Sequence, residues 1–326
     1  MFFQRAFEGK NDWWMYVITI VLVLIASLVG GVLVLPVATG IAERNQLSDQ
    51  LPEFFLGMDY TVIGMEPWVF LLFMLLPFVA MLAVLWLFVT KVHQKRFEAI
   101  LTGRPRLDWK RIGFGFGFWL LLTIVVEVVS FLIQPETYTF DFQPAQFFPV
   151  LIVVLLLLPL QTSAEEIIFR GYLMQAVGLI AKNRWVPLLV TSVLFGLLHG
   201  ANPEVAEYGV GAALFSYIYV GLFLGVITLM DDGLELALGV HAATNIYAAT
   251  VTTYPGAALP MPALFELSEL NLWMMNGVLV FSSVIFMAIC ARRYGWTNWK
   301  ERLTGPIVPP PSYPDDHIVI LDKQIG

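Results

Sequence analysis

Charge is scarce in this 326-residue chain. Only 13% of its residues are Asp, Glu, Lys or Arg, against 58% hydrophobic residues. A soluble domain is nearer one quarter charged, so the soluble globular class is excluded, and the mean hydropathy of +0.76 agrees. Cysteine is nearly absent. The single Cys290 excludes an internal disulfide and any multi-cysteine metal site, and reads as a small apolar side chain in a membrane helix. Basic and aromatic residues form no joint cluster, so nucleic acid is not an expected partner. There is no H-E-x-x-H zinc motif, and no internal repeat of the kind that builds two-repeat transporters. The net charge of -7 says little about partners, because charge in such a chain is confined to loops and tails.

What the chain has instead is long apolar runs. A helix needs about 20 apolar residues to cross the hydrocarbon core. Eight segments reach or approach that length: Trp13–Val37, Pro67–Thr90, Ile112–Gln134, Phe147–Ile180, Val186–His199, Gly209–Met230, Leu234–Thr250 and Leu272–Ala291. The expected fold is therefore all-α, a polytopic membrane helix bundle of about eight transmembrane helices surrounded by membrane lipids. The first run is much longer than the apolar core of a signal peptide and reads as a first span. The fourth is overlong and contains Pro159, while the fifth and seventh are short. Kinked, tilted or partly submerged helices are expected there. The stretch Ala38–Glu66 is long enough for a short interfacial helix.

Lys and Arg set the expected orientation. Lys91, Lys95, Arg96, Arg104, Arg106, Lys110 and Arg111 share one loop, and Lys182 and Arg184 mark another. Arg5 and Lys10 precede the first span, and Arg292, Arg293, Lys300, Arg302 and Lys323 follow the last. With eight spans all of these face one side. Arg44 alone lies in an opposite loop, and the other loops on that side carry Glu136, Asp141, Glu204, Glu207, Glu266 and Glu269. Both termini are expected in the cytoplasm. The chain carries no organelle signal, and a bacterial cell membrane is the expected location. Three regions are expected: N-terminal transmembrane helices and loops over 1–135, a core plus the last transmembrane helix over 136–291, and a disordered cytoplasmic tail over 292–326. The tail contains Pro310-Pro311-Ser312-Tyr313, which has the form of a WW-domain ligand and reads as a chance match in a Pro-rich stretch.

Three polar patterns interrupt the apolar runs: Glu165-Glu166-Ile-Ile-Phe-Arg170, Phe195-Gly-Leu-Leu-His199 and His241-Ala-Ala-Thr-Asn245. Ionisable residues are costly in hydrocarbon, so each is a functional-site hypothesis. On a helix Glu166 and Arg170 share a face in the favourable order for an ion pair. Glu165 lies about 100° around and has no such partner at this spacing. It reads as the carboxylate left free for general-base work. Gly196 leaves room for close helix approach beside Phe195 and His199. His241 and Asn245 again share a face; together they can donate to a developing oxyanion or hold a water, metal-bound or free. A lone His or a lone Glu–Arg pair is commonly a helix staple, but a staple needs neither a second Glu nor two histidines. Glu127, with no pattern around it, reads as cavity-lining or locally paired.

This ordered set resembles the CPBP family of intramembrane proteases. That family includes the Rce1-type CAAX prenyl proteases and bacteriocin-processing and immunity proteins. Its pattern, E-E-x-x-x-R then F-x-x-x-H then H-x-x-x-N, is matched in order and spacing across about residues 147–251. The resemblance implies peptide-bond hydrolysis at or within the membrane. It implies Glu165 as the base that activates water, His199 as a residue holding that water, and His241 and Asn245 as oxyanion donors, with Glu166, Arg170 and Phe195 bracing the site. Glu165, His199 and His241 could alternatively supply a two-His, one-carboxylate zinc set, although a glutamate-activated water needs no metal. The implied substrate is a lipidated C-terminal peptide of the CAAX type or another membrane peptide. Two rivals stand beside this reading: a non-catalytic immunity or regulatory membrane protein that binds a peptide in the same cavity, and a proton-coupled transporter using Glu127, Glu165 and the histidines. Counted from Phe147, Glu165 falls near the cytoplasmic end of its span. Counted from Val186, His199 falls deep. A break near Pro159, a tilt, or a membrane crossing that starts further along the fourth segment is expected to bring them level, with the site in the cytoplasmic half.

Overall fold

A computed structural model of the chain describes residues 1–310. In hydrocarbon a backbone N–H finds no partner outside its own helix, so the apolar runs close into helices. In chain order these are α1 (Trp13–Arg44), α2 (Pro67–Val92), α3 (Trp109–Ile133), α4 (Pro144–Ala181), α5 (Trp185–Leu198), α6 (Val210–Asp231), α7 (Glu235–Thr250) and α8 (Leu272–Tyr294). The all-α polytopic bundle expected from the sequence is present. Among the described residues, six helices are long and apolar enough to cross a membrane; α5 and α7, at 14 and 16 residues, fall short of that length. Side chains such as Leu28, Leu132, Ile133 and Leu156 stand exposed on the outside of the bundle, as lipid-facing positions should.

Local chemistry sets the helix ends. Asp108 caps α3, accepting from the backbone N–H groups of Lys110 and Arg111. Pro67 and Pro144 open α2 and α4, where the missing N–H costs nothing. Lys182 and Asp232 take left-handed conformations that end α4 and α6. Helix α4 runs through Pro149 and Pro159 without interruption and widens into a π-helical stretch over Ile167–Leu173.

One of the shortest of these helices is the most enclosed. Helix α7 buries His241, Glu235 and most of its small residues, packed against α3, α4 and α6. The close approach to α3 rests on two glycines. A Cβ at Gly115 would meet the Leu236 carbonyl oxygen at 2.7 Å, and one at Gly239 would collide with the Ile112 carbonyl oxygen. Replacing Gly239 with Val is therefore expected to destabilise the bundle by about 1–3 kcal/mol through overpacking. Thermal unfolding in detergent reads this directly; an unchanged midpoint would mean that α3 and α7 are not held at this distance. The close approach expected at Gly196 is also present, where a Cβ would collide with Ile218 of α6.

Away from the basic loop, a three-stranded sheet ties the ends of α3, α4 and α7 together. Its order is β1 (Tyr138–Phe140), β3 (Phe265–Leu267), β2 (Thr252–Thr253). Strands β1 and β3 are antiparallel with Tyr138 opposite Leu267, and β2 runs parallel to β3 with Thr252 opposite Phe265. Between α1 and α2 the expected short helix appears at Leu51–Gly57, with Phe54 buried.

Two expectations need correction. The tail is ordered through its first residues: Trp299–Thr304 is a short helix, and Ile307 is buried in the same core as Phe3. The backbone N–H of Ile307 donates to the Lys182 carbonyl and that of Arg184 to the Gly305 carbonyl, 2.9 and 3.0 Å. One apolar side chain with a core to enter, and backbone partners to pair with, hold a stretch that composition marks as loose. Beyond Pro310 the WW-like motif lies outside the described residues.

The second correction concerns depth. The basic loop packs against α4 well before that helix ends. A Cβ at Gly171 would meet the Ile100 carbonyl oxygen at 2.6 Å, and His93 Nε2 lies 2.8 Å from the Tyr172 hydroxyl. The last turns of α4 continue past this level beside the first turns of α5. Phe195 of α5 consequently meets Phe169, with ring centroids 5.3 Å apart. Glu165 lies six residues from Gly171, about 9 Å along the helix. His199, one turn beyond Phe195, comes level with it because α4 and α5 are antiparallel. The counts from the helix ends disagreed because α4 is 38 residues long, about 57 Å, and much of its surplus lies past the basic loop. No break at Pro159 is required.

Candidate active site

Helices α4 and α7 are antiparallel and place their polar residues in register. Glu166 Oε1 accepts from Arg170 Nη1 at 2.8 Å and lies 2.7 Å from His241 Nδ1. Both side chains of the Glu166–Arg170 pair are fully buried. Arg170 also donates to the Gly221 carbonyl of α6, at 3.2 Å, and lies over the Phe195 ring, 4.3 Å from its centroid. The ion pair expected from the four-residue spacing is formed, and Phe195 is its apolar lid.

Glu165 is not the unpartnered group its spacing suggested. Its Oε1 accepts from Gln161 Nε2 at 2.6 Å, and its Oε2 lies 3.5 Å from His241 Nε2. The Gln161 carbonyl oxygen in turn accepts from Asn245 Nδ2 at 3.1 Å. One chain of contacts thus runs Asn245–Gln161–Glu165–His241–Glu166–Arg170. Gln161 is the member that sequence reading missed. Its signal was an amide one helical turn before Glu165, inside an apolar run.

His241 stands between the two glutamates, with one ring nitrogen on each. The ring cannot be neutral and donate to both. It therefore donates from Nδ1 to Glu166 and presents Nε2 to Glu165, or it is protonated and serves both. Glu165 is the outer carboxylate, 12% exposed where Glu166 is sealed. This pair of environments separates the two acids: one is neutralised by Arg170, and the other faces the space in which a proton can move.

His199 is organised separately. Its Nδ1 lies 2.7 Å from the Phe195 carbonyl oxygen, which fixes the proton on Nδ1 and leaves Nε2 an acceptor. The ring stacks on Tyr217 at a 4.6 Å centroid distance. Tyr217 accepts from Asn202 Nδ2 at 2.8 Å. Of the zinc set conceivable from the sequence, Glu165 and His241 meet while His199 packs on Phe195 and Tyr217. Among the described residues no three His, Cys, Asp or Glu side chains come together to hold a metal ion. As arranged, Glu165, His199 and His241 do not converge on one point.

Beside the cluster, between α3, α6, α7 and α8, is a cavity of about 830 Å³. Tyr217 lines it, with its ring stacked on His199, and so does Thr244. Glu127 lines it too and accepts from the Thr252 hydroxyl at 3.1 Å, matching its reading as a cavity residue.

Residues 144–247 match the family model described as type II CAAX prenyl endopeptidase Rce1-like. The chain is also 31% identical over 271 residues to the uncharacterized protein YyaK of Bacillus subtilis (strain 168), covering 82% of this chain and 88% of that protein. No solved structure matches the chain at a significant level. The matched interval begins with α4 and ends within α7, so it contains every residue of the cluster.

Proposed function

The chain belongs to the Rce1-like CAAX prenyl endopeptidase family, and from that premise we propose that it is an intramembrane endopeptidase working through a glutamate-activated water. The observation that carries this reading is the pair of unequal carboxylates about His241: Glu166 buried against Arg170, and Glu165 partly exposed and held by Gln161.

In this mechanism a water sits between Glu165 and the unprotonated Nε2 of His199. Glu165 takes one proton as the water oxygen bonds to the scissile carbonyl carbon. The carbonyl oxygen becomes an oxyanion, and the free N–H of the Asn245 amide and the N–H of a protonated His241 stabilise it. Glu165 then gives its proton to the departing amide nitrogen as the C–N bond breaks. Glu166 and Arg170 hold His241 in place through the whole sequence. Gln161 positions both Glu165 and Asn245, so it couples base and oxyanion donor.

The basic loops lie at the end of the bundle nearer the cluster, about 9 Å from it. On the orientation rule, both termini and these loops would face the cytoplasm. Substrates would be C-terminal peptides, prenylated or not.

Cleavage of quenched fluorescent peptides by the purified protein in detergent tests the reading, with prenylated C-terminal peptides beside unmodified ones. Cleavage is expected, and a zinc chelator is expected to leave it unchanged. Loss of activity on chelation, with recovery on adding zinc, would overturn the metal-free mechanism. No cleavage of any peptide by folded protein would favour a peptide-binding, immunity-type role.

A further inference from the structure

The cavity beyond the cluster is acidic without compensation. Glu127, Glu204 and Glu269 line it, and no Lys or Arg does. Among the described residues none of the three has a Lys, Arg or His nitrogen within 4.0 Å. Glu204 is only 6% exposed. Its Oε1 accepts from the Ala258 backbone N–H at 2.7 Å, and its Oε2 is buried with no hydrogen-bond partner. A buried carboxylate oxygen left unpaired is costly. Tyr138, Tyr247 and Tyr254 stand in the same wall. The Tyr254 hydroxyl donates to Glu204 Oε1 at 3.4 Å, and carboxylates among aromatic rings form the chemistry that attracts an ammonium or guanidinium group.

The surroundings reinforce the sign. Glu136, Asp141, Glu207 and Glu266 lie in the loops at this end of the bundle. Walls of low dielectric focus such a field into a cleft.

We propose that this cavity binds a cationic group, and that it is the subsite taking a Lys or Arg side chain of the peptide substrate. The assignment to substrate rests on the protease reading above; the cation site itself does not. Tyr217 links the two, since it lines the cavity and its ring stacks on His199. A basic side chain in the cavity would sit one aromatic layer, the Tyr217 ring, from His199. A peptide with a basic residue a short distance from the scissile bond is the substrate class this shape favours.

Binding tests it without cleavage. Two amidated apolar heptapeptides, one carrying a single Lys and its twin carrying norleucine, are titrated into Glu165→Gln protein in detergent. The Lys peptide is expected to bind about tenfold more tightly at low salt. Adding Glu204→Gln or Glu127→Gln is expected to bring the two peptides within about twofold of each other. Glu204→Gln keeps an oxygen to accept from Ala258, and Glu127→Gln serves if the first variant unfolds. Equal binding of both peptides to the parent protein overturns the cation site, whatever the cleavage assay reports. A preference that survives in Glu127→Gln and Glu204→Gln overturns the assignment to these carboxylates. Displacement of the Lys peptide by phosphatidylcholine nanodiscs, but not by nanodiscs of an uncharged glycolipid, overturns the peptide assignment in favour of a lipid headgroup. Failure of the protease reading is separable, since it would appear as no cleavage of any peptide by the unsubstituted protein with the binding preference intact.

Discussion

Glu165→Gln is expected to lower peptide cleavage by about 10²- to 10⁴-fold, the usual contribution of a positioned general base. The substitution removes the proton acceptor and little else. Gln keeps the length of Glu, and its carbonyl oxygen can still accept from Gln161, which now holds Glu165 at 2.6 Å. The contact to His241 is the longer of that ring's two, 3.5 Å against 2.7 Å to Glu166, so His241 stays in place. Thermal stability in detergent is therefore expected to stay within about 1 kcal/mol of the parent, since the residue lies at the edge of the cluster and trades one polar group for another. The decisive comparison is kcat with stability, measured on the same preparation. Full cleavage with unchanged stability would remove Glu165 from the mechanism and leave the exposed carboxylate without a role.

How far the sequence foretold this site depends on the range of each contact. The Glu166–Arg170 pair was legible because it lies within one helical turn, and four-residue spacing survives even where the turn widens to π geometry. The place of His241 between the glutamates was not. It is 75 residues from Glu166, and the contact depends on the antiparallel register of α4 and α7, which glycines at the α3 crossing help to fix. Gln161 was overlooked for a different reason. Amides do not carry the cost that makes a charge conspicuous in an apolar run, yet this one bridges Glu165 to Asn245. The bundle itself was legible from hydropathy, as apolar runs admit no other structure in lipid. Relative depth was not, because it is set by where the basic loop meets α4, near Gly171, and not by where the helix ends.

Breaking the sealed ion pair should cost the fold more than any change at Glu165. Arg170→Met leaves the Glu166 carboxylate fully buried, with only His241 to balance it. Removing one partner of a buried pair typically costs about 3–5 kcal/mol, so a lower unfolding midpoint is expected, with loss of cleavage at temperatures where the variant is still folded. Arg170→Lys should not rescue it. An ammonium cannot pair with Glu166, donate to the Gly221 carbonyl and lie flat on Phe195 together, as the planar guanidinium does. The double variant Glu166→Gln with Arg170→Met removes both charges and is expected to recover much of the stability, because an apolar or neutral replacement of a buried pair is far less costly than half of one. It should not recover cleavage, for His241 would then lack the carboxylate that fixes its Nδ1 proton. A double variant that regains both stability and activity would make the pair a staple alone. Stability regained without activity would tie Glu166, through His241, to the chemistry.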